Sequence, residues 1–368
     1  MARYRATPVS EPTPPLAERV RLVVLFGGRS AEHEISCVSA ASVLGALDPE
    51  RYDVLPVGIT SEGRWVAADA RGVGWRGARQ PTLEAAGRQI DPLPVFAASP
   101  TTVVLPLLHG PFGEDGTIQG LLEQAGVAYV GTGVLGSALA MDKAMAKEVL
   151  ASRGLPQARH LALRDIEVDD VLDERVGDEL GWPVFVKPAN LGSSVGISRV
   201  EGPAALPEAL SLAASFDEWL VIEEAIAGRE LECGVLGNAE LEASVPGEIV
   251  PSAEFYDFDD KYSDSGAELV VPAALPEGVA GEVQRLACTA AAAVRAEGMA
   301  RVDFFFEEDG RGLLVNEVNT IPGFTPRSMF PRLWAAGGVP YPELIDRLVA
   351  LALERHARRS GRIGRPRR

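Results

Sequence analysis

Short apolar runs, separated by turns and helical patterns, fill the first third of the chain. Strands are predicted at Arg21–Phe26, Tyr52–Ile59 and Thr102–Leu108. Helices are predicted at Ser30–Leu47, with Ser30 as the N-cap, and at Thr117–Gln124. This alternation of strand, loop and helix predicts a parallel α/β sheet.

The pattern is less regular through the middle of the chain. Residues 61–100 are rich in Gly, Arg, Pro and Ala and are predicted to be an insertion. A helix is predicted at Ser137–Ser152, where Lys143 and Lys147 share one face. The opposite face carries an apolar stripe that we expect in the core: Met141, Met145 and Val149. Further on, the sequence predicts strands at Trp219–Ile222 and Leu231–Leu236 and an Ala-rich helix at about 280–297.

The segment Arg301–Asn319 (RVDFFFEEDGRGLLVNEVN) predicts a β-hairpin, because two strand patterns flank a turn that contains Asp309-Gly310. Strand side chains alternate between faces, so one face is apolar, with Asn316 as a polar exception. If Gly310 is the centre of the hairpin, Asp303 faces Glu317 and Arg301 faces Asn319.

The polar face of this hairpin is a candidate metal site. Two carboxylates at this spacing repel each other unless a cation lies between them. Oxygen ligands in small number suit Mg²⁺ that is shared with the phosphates of a nucleotide. The alternative interpretation is an ordinary solvent-exposed face of a surface hairpin.

A second candidate for phosphate binding begins at the predicted strand Pro183–Lys187 (PVFVK). A Gly- and Ser-rich loop follows, and its backbone N–H groups, with the hydroxyls of Ser193 and Ser194, can bind an anion. The loop also fits the G-x-S-x-G hydrolase pattern, and residues 131–136 fit G-x-G-x-x-G. The first lacks the required strand and helix, and the second lacks the expected acidic residue, so both interpretations are disfavoured.

Composition narrows the class of protein. The chain has 35 Lys and Arg against 52 Asp and Glu, a net charge of −17, so it has no general basic surface for nucleic acid. Only four of the basic residues are lysines, and a lysine retained against this arginine bias can mark a site that needs a compact ammonium: Lys143, Lys147, Lys187 and Lys261. The four histidines share no zinc-site spacing; His109, at a strand end, is the one expected to be functional.

The two ends of the chain and its cysteines indicate in which cellular compartment the protein is expected. Residues 1–19 are predicted to be disordered, and 355–368 to form a solvated basic tail, with a nucleic-acid or membrane contact as the alternative for that tail. No apolar signal or membrane-spanning segment is predicted. Three well-separated cysteines argue against disulfides: Cys37, Cys233 and Cys288. We therefore expect a cytoplasmic protein with no membrane partner.

Five segments, in this order, resemble the D-alanine–D-alanine ligases, a family with the ATP-grasp fold. They are residues 27–36 (GGRSAEHEIS), 109–116 (HGPFGEDG), 187–196 (KPANLGSSVG), 255–262 (FYDFDDKY) and 316–325 (NEVNTIPGFT). The resemblance implies an N-terminal parallel-sheet α/β domain followed by two α+β subdomains that grip ATP. It also implies that ATP phosphorylates the carboxylate of one D-alanine and that the amine of a second D-alanine attacks the acyl phosphate.

The same resemblance implies roles in nucleotide and metal binding. Lys143, Lys187 and Ser194 would bind ATP phosphates, and Lys261 would reach the γ-phosphate. Adenine and ribose would contact a group of residues in the segment VIEEAIAGRE: Glu223, the backbone at Ala225 and Ile226, and Glu230. Two Mg²⁺ ions, with Mn²⁺ as a substitute, would be ligated by the polar face of the hairpin: Asp303, Glu317 and Asn319.

Roles for the amino-acid substrates follow from the resemblance in the same way. Glu32 would take the ammonium of the first D-alanine near His109, and Ser193 and Tyr262 would bond with Glu32 to close two loops over the site. Arg301 and the N–H of Gly323 would hold the oxyanion of the intermediate. Ser328 and the N–H of Met329 would anchor the carboxylate of the second D-alanine. Tyr262 favours D-alanine over D-lactate as the second substrate, and D-serine stays open.

The predicted organisation has three domains between the two terminal segments: residues 20–136 for the N-terminal domain, 137–224 for the central subdomain and 225–354 for the C-terminal subdomain with the metal site. We expect a homodimer. The alternatives are another ATP-grasp carboxylate–amine ligase, such as one that forms D-Ala-D-Ser or D-Ala-D-Lac, and a nucleotide-binding module without catalysis.

Overall fold

The computed structural model describes residues 3–5, 19–70, 81–192, 195–251 and 267–362. Its strands are β1 (Arg3–Arg5), β2 (Val20–Gly27), β3 (Tyr52–Ile59), β4 (Trp65–Ala68), β5 (Gly87–Gln89), β6 (Thr102–Pro106), β7 (Ala128–Tyr129), β8 (His160–Arg164), β9 (Val184–Pro188), β10 (Ser198–Val200), β11 (Trp219–Glu224), β12 (Arg229–Gly237), β13 (Glu240–Val250), β14 (Glu268–Val270), β15 (Gly298–Glu307) and β16 (Gly312–Asn319). Its helices are α1 (His33–Ala46), α2 (Pro92–Phe96), α3 (Thr117–Ala125), α4 (Val134–Met141), α5 (Lys143–Ser152), α6 (Leu172–Glu179), α7 (Leu206–Ala214), α8 (Val279–Ala293), α9 (Met329–Ala336) and α10 (Tyr341–Ser360).

The N-terminal sheet has the strand order β5-β4-β3-β2-β6-β7. Strands β3, β2, β6 and β7 are parallel, which confirms the predicted parallel α/β sheet. Strand β2 is almost entirely buried because helices cover both faces of a parallel sheet. The predicted insertion contains β4 and β5, which extend this sheet in antiparallel orientation, and the short helix α2; residues 71–80 lie outside the described residues.

The central and C-terminal sheets are mainly antiparallel. The central sheet has the order β10-β9-β11-β8, with apolar residues of α6 and α7 packed against it. The C-terminal sheet runs β1-β13-β12-β15-β16, with β14 also paired to β13, and the predicted Ala-rich helix is α8, which packs on it. Together with the parallel N-terminal sheet, this is the arrangement that the predicted fold class requires.

One hydrophobic cluster joins the first and last parts of the chain. It contains Leu22 and Leu105 from the N-terminal sheet, Trp334 from α9 and Leu348 from α10, all buried. The N-terminal sheet is therefore packed against helices that come some 200 residues later in the sequence. Among the described helices, none is long and apolar enough to span a membrane. The three cysteines are buried and free.

Two helices differ from their predicted extents, one at its start and one by a break in its middle. Helix α1 begins at His33, and Ser30 is not its N-cap: the Ser30 hydroxyl donates to the His109 carbonyl at 2.7 Å. The helix predicted at Ser137–Ser152 is in fact two helices, α4 and α5, which meet at Asp142. The Asp142 carboxylate accepts a hydrogen bond from the Met145 N–H and so caps α5, an arrangement that favours a new helix start there.

The structure describes a part of each predicted terminal segment. Arg3–Arg5 pairs in parallel with β13, where the free edge of that strand offers backbone hydrogen bonds. Helix α10 extends to Ser360, so residues 355–360 are not a solvated tail. Arg355 is buried because its guanidinium donates to the carbonyls of Tyr129 and Gly131 and lies over the Tyr129 ring. Helix α4 also crosses the predicted domain boundary at residue 136.

Candidate active site

A cleft of about 510 Å³ lies between the central sheet, the C-terminal sheet and the segments that follow β2 and β6. Strands of the central and C-terminal sheets line it, and the N-terminal domain contributes residues from α1 and from the segment that follows β6. It collects most of the described residues predicted for the site: Glu32, His109, Lys143, Lys187, Glu223, Ile226, Glu230, Arg301, Asp303, Glu317, Asn319, Gly323, Ser328 and Met329. Ala225 is not among its lining residues.

The hairpin β15–β16 has the predicted register at the site. Asp303 faces Glu317 and Arg301 faces Asn319. Beyond Asp303 the register shifts, because Phe304 pairs with Val315 and leaves Asn316 as the extra residue of a β-bulge. The bulge corrects the prediction for Asn316: this residue is not on the core face but lines the cleft.

Charge balance on the hairpin depends on Arg301. Its guanidinium donates to both oxygens of Asp303 at 2.7 Å, and its Nε lies 2.9 Å from Glu232 Oε2. Burial alone would lower the pKa of Arg301, but the charges of Asp303 and Glu232 outweigh it and raise the pKa well above its ordinary value. Arg301 is therefore a permanent cation at the floor of the cleft. Glu232, which faces Asp303 from β12, was not predicted as a site residue.

Asn319 also interacts with Asp303. Its Nδ2 donates to Asp303 Oδ2 at 2.9 Å, so its amide oxygen is the atom that can ligate a cation. Among the described residues, no group of three or more His, Cys, Asp or Glu side chains has the arrangement of a metal site. The set predicted from the sequence is of another kind, with two carboxylates and one amide.

Two of the predicted phosphate-binding lysines face the cleft from the central part of the chain. Lys143 is the first residue of α5, and its Nζ donates to the Leu191 carbonyl at the start of the Gly/Ser loop. Lys187 lies on β9, and its Nζ is 2.8 Å from Glu223 Oε2. Lys143 thus contacts the loop predicted to bind phosphate, and Lys187 lines the same cleft.

The prediction of a core stripe opposite the lysines of α5 was wrong for Met145, although Val149 does pack against a core cluster. Lys147 is buried, with 2% of its surface exposed, whereas Met145 is 45% exposed. The buried lysine is stabilised by Glu223, whose Oε1 lies 3.2 Å from Lys147 Nζ. Helical spacing alone could not reveal this ion pair, because its acidic partner lies on a strand more than 70 residues away in the sequence.

At the far end of the cleft, apolar side chains surround the acidic strand end of β11. Phe185, Ile197, Ile226 and Leu231 line this region together with Glu223 and Glu230. The Ala225 N–H donates to the Pro183 carbonyl at 3.0 Å. A purine edge at this position would therefore pair with the Ala225 carbonyl or with the backbone of Ile226.

Glu32 lies at the opposite end, between two glycine backbones. A Cβ atom added to Gly110 would be 2.9 Å from Glu32 Oε2, and one added to Gly192 would be 3.1 Å away. The Gly/Ser loop of the central sheet and the residues after β6 thus meet at one carboxylate. A larger side chain at either position would displace the Glu32 carboxylate from this place.

His109 and Glu114 line the cleft beside Glu32. Burial lowers the pKa of His109, whose Nδ1 bonds the Ile321 carbonyl at 3.0 Å, and its buried Nε2 has no hydrogen-bond partner among the described residues. Burial and the nearby Glu32 raise the pKa of Glu114 to about 8, although its oxygens accept the Gly110 and Ile321 N–H groups. Glu114 was missed from the sequence, although it belongs to the quoted segment HGPFGEDG.

The remaining predicted substrate contacts cluster before α9. The Ser328 and Thr325 hydroxyls lie 2.9 Å apart, and a Cβ atom on Gly323 would be 3.2 Å from Ser328 Oγ. Met329 is the first residue of α9, so its N–H lies at a helix N-terminus, which favours an anion. Four predicted site residues lie outside the described residues and stay predictions: Ser193, Ser194, Lys261 and Tyr262.

Comparison with known proteins matches nearly the whole chain. The model of the D-ala D-ala ligase N-terminus matches residues 21–132, and that of the D-ala D-ala ligase C-terminus matches residues 149–350. The D-alanine–D-alanine ligase of Mycobacterium sp. (strain KMS) is 49% identical over 365 residues, covering 92% of this chain and 97% of the relative. That of Geobacillus kaustophilus is 46% identical over 352 residues, covering 92% and 96%.

Solved structures give a similar result. The D-alanine–D-alanine ligase of Coxiella burnetii superposes with a TM-score of 0.79 at 35% identity, covering 94% of this chain and 97% of that one. The VanG D-Ala:D-Ser ligase of Enterococcus faecalis superposes with a TM-score of 0.77 at 30% identity, covering 91% and 100%.

Proposed function

The chain belongs to the D-alanine–D-alanine ligase family, and on that premise we propose how its residues divide the work of joining two D-alanines. The protein is an ATP-dependent ligase with the ATP-grasp fold that forms D-alanyl-D-alanine for cell-wall synthesis. A free carboxylate is a poor acceptor for an amine. Transfer of the γ-phosphoryl group to the first D-alanine removes this obstacle, and attack by the second amine then releases phosphate.

The nucleotide would lie between the central and C-terminal sheets. Lys143 and Lys187, with Ser194 and Lys261, would hold its phosphates, because cations and hydroxyls there balance the charge that moves during phosphoryl transfer. Glu223 and Glu230 would contact adenine and ribose, and the backbone at Ala225 and Ile226 would pair with the adenine edge. The apolar lining around them, including Phe185 and Ile197, supports this placement.

The donor set of the hairpin fits a hard divalent cation. Asp303 and Glu317 are paired across two strands, and the Asn319 amide oxygen is turned away from the Asp303 carboxylate that its nitrogen bonds. Asp303, Glu317 and Asn319 would hold two Mg²⁺ ions, or Mn²⁺. Bound there, the ions would screen the negative charge of the phosphates. Arg301, already held by Asp303, would with the Gly323 N–H stabilise the oxyanion formed when the amine attacks.

The amino-acid substrates would lie toward the N-terminal sheet. Glu32 would bind the first ammonium, and His109 Nε2, which has no hydrogen-bond partner within the described part of the chain, supports a ligand atom beside it. Ser193 and Tyr262 would hydrogen-bond with Glu32 and close the loops, because water would hydrolyse an acyl phosphate. Ser328 and the Met329 N–H would anchor the carboxylate of the second D-alanine at the start of α9.

A single observation carries this assignment: Asp303 and Glu317 face each other in the cleft that Lys143 and Lys187 also line. The test is ADP release by purified protein with ATP, Mg²⁺ and D-alanine, combined with identification of the dipeptide. D-alanine-dependent ADP release without any response to L-alanine is expected. ATP binding without turnover would instead select the non-catalytic alternative.

Specificity for the second substrate is tested with a separate panel of candidate second substrates. We propose D-alanine, on the basis of Tyr262, over D-serine and D-lactate. Product analysis with each of the three in competition is expected to give mainly D-alanyl-D-alanine. A depsipeptide as the main product would contradict the assignment of Tyr262. We also propose a cytoplasmic homodimer, which light scattering at several protein concentrations would test.

A further inference from the structure

Lys147 is a buried cation behind the nucleotide end of the cleft. Its side chain is 2% exposed, and it is not among the residues that line the cleft, although Lys143, one helical turn earlier on α5, is. Lysine is almost never fully buried without a charged partner. The partner here is Glu223, whose Oε1 lies 3.2 Å from Lys147 Nζ while its Oε2 lies 2.8 Å from Lys187 Nζ.

Only two of these three charged residues, Glu223 and Lys187, can contact a ligand in the cleft. Glu223 and Lys187 line the cleft, whereas Lys147 approaches Glu223 from the side of α5. Without Lys147, the charges of Glu223 and Lys187 would cancel each other. With it, the group keeps one net positive charge, and the residue that faces the cleft with that charge is Lys187.

The group also keeps Glu223 as a hydrogen-bond acceptor. Burial alone would raise the pKa of Glu223, but the charges of Lys147 and Lys187 outweigh it and hold the pKa well below its ordinary value. His160 faces Glu223 across β8 and β11, and burial together with Lys147 lowers its pKa, so it adds little charge near neutral pH. An ionised carboxylate accepts hydrogen bonds and cannot donate them. It therefore suits the exocyclic amine of adenine and disfavours the carbonyl that guanine carries at the same position.

We propose that Lys147 is a positioning residue for the nucleotide: it fixes Glu223 as an acceptor for the base and leaves the charge of Lys187 for the phosphates. The proposal rests on the proposed function, because it takes the nucleotide end of this cleft to bind ATP. It assigns Lys147 an effect on nucleotide affinity and on base selectivity, and none on D-alanine binding.

The experiment removes the charge of Lys147 in two backgrounds. In the otherwise native chain, Lys147→Met is expected to raise the KM for ATP and the Kd for ADP by about tenfold, which is typical for loss of a charge-assisted contact. The KM for D-alanine is expected to change less than about twofold. In the Glu223→Gln background, where Lys187 has no carboxylate to neutralise it, the same substitution is expected to change the Kd for ADP less than about threefold.

Base selectivity gives an independent readout. The ratio of kcat/KM for ATP to that for GTP is expected to fall in both variants. In Lys147→Met the acceptor is misplaced, and in Glu223→Gln the amide group can also donate to the carbonyl of guanine. Lys147→Arg keeps the charge and is expected to retain most of the affinity for ATP. Lys147→Gln, which removes the charge but keeps a donor to Glu223, repeats the test if Lys147→Met does not fold.

A matched control separates positioning from general destabilisation. Arg355→Met removes another buried cation, whose guanidinium bonds the carbonyls of Tyr129 and Gly131; none of these three residues lines the cleft. It is expected to lower the melting temperature without changing the KM for ATP. An unchanged ADP Kd in both uncharged Lys147 variants, or an equal loss in both Glu223 backgrounds, would overturn the proposal. Isothermal titration with ADP needs no D-alanine, so it tests Lys147 even if the ligase reaction itself is not observed.

Discussion

Substitution of Glu317 is the most direct test of the proposed metal site. Its carboxylate faces Asp303 across the hairpin. We expect Glu317→Gln to raise the Mg²⁺ concentration needed for half-maximal ADP release by about tenfold or more, because one charged ligand is lost. Glu308→Gln, in the turn of the same hairpin, is the control and should behave as the unmodified protein. An Mg²⁺ dependence identical in all three proteins would contradict the hairpin assignment.

The raised pKa of Glu114 predicts that the free energy of unfolding depends on pH. Its pKa in the folded protein is raised to about 8, above the ordinary value of 4.5, by burial and by Glu32. The neutral form therefore stabilises the fold at low pH, and this contribution is lost as the pH rises toward 8, by at most about 1.4 kcal/mol per pH unit. Glu114→Gln cannot ionise, so its free energy of unfolding should fall less between pH 5 and pH 8. Urea denaturation across that range checks this, and parallel curves for the two proteins would contradict it.

At the scale of single elements, the break between α4 and α5 determines where Lys143 begins its helix. The Asp142 carboxylate accepts from the Met145 N–H at 3.0 Å, and the Lys143 N–H donates to the Ala189 carbonyl. Asp142→Ala is expected to lower the free energy of unfolding by about 1 kcal/mol, because the cap of α5 is lost. Urea denaturation measures the change, and Asp142→Asn, which can still cap, should restore most of it. Equal losses in the two variants would show that the cap is not the cause.

The hairpin shows how far an element can be predicted. The turn, the two strands and the facing of Asp303 with Glu317 followed from alternation and symmetry alone. The bulge at Asn316 could not be predicted in this way. A polar residue at a position expected to be apolar can be a buried polar residue in a regular strand, or it can mark a shift in register. Helix α5 shows where such a pattern misleads. The spacing of its apolar residues predicted that Met145 is buried, but in the structure this side chain is exposed.

At the scale of the whole molecule, the shared core ties α10 to the N-terminal sheet. Leu348 is fully buried in the cluster that includes Leu22 and Leu105, and α10 packs on β6 and β7. Leu348→Ala is expected to cost about 3 kcal/mol of stability through the cavity that it leaves. Hydrogen exchange should then accelerate in β2 and β6 as well as in α10. Faster exchange confined to α10 would mean that the two parts unfold separately.

The sequence by itself determined the parallel N-terminal sheet, the hairpin with Asp303 facing Glu317, the family and most of the charged residues that line the cleft. These depend on local alternation, turn chemistry and ordered motifs, which the chain carries within short segments. Tertiary structure alone decided that Lys147 is buried against Glu223, that Arg355 enters the interior, and that Glu114 and Glu232 join the cleft. Each of these depends on a partner distant in sequence, and the free energy of burying a charge is set by that partner and not by neighbouring residues.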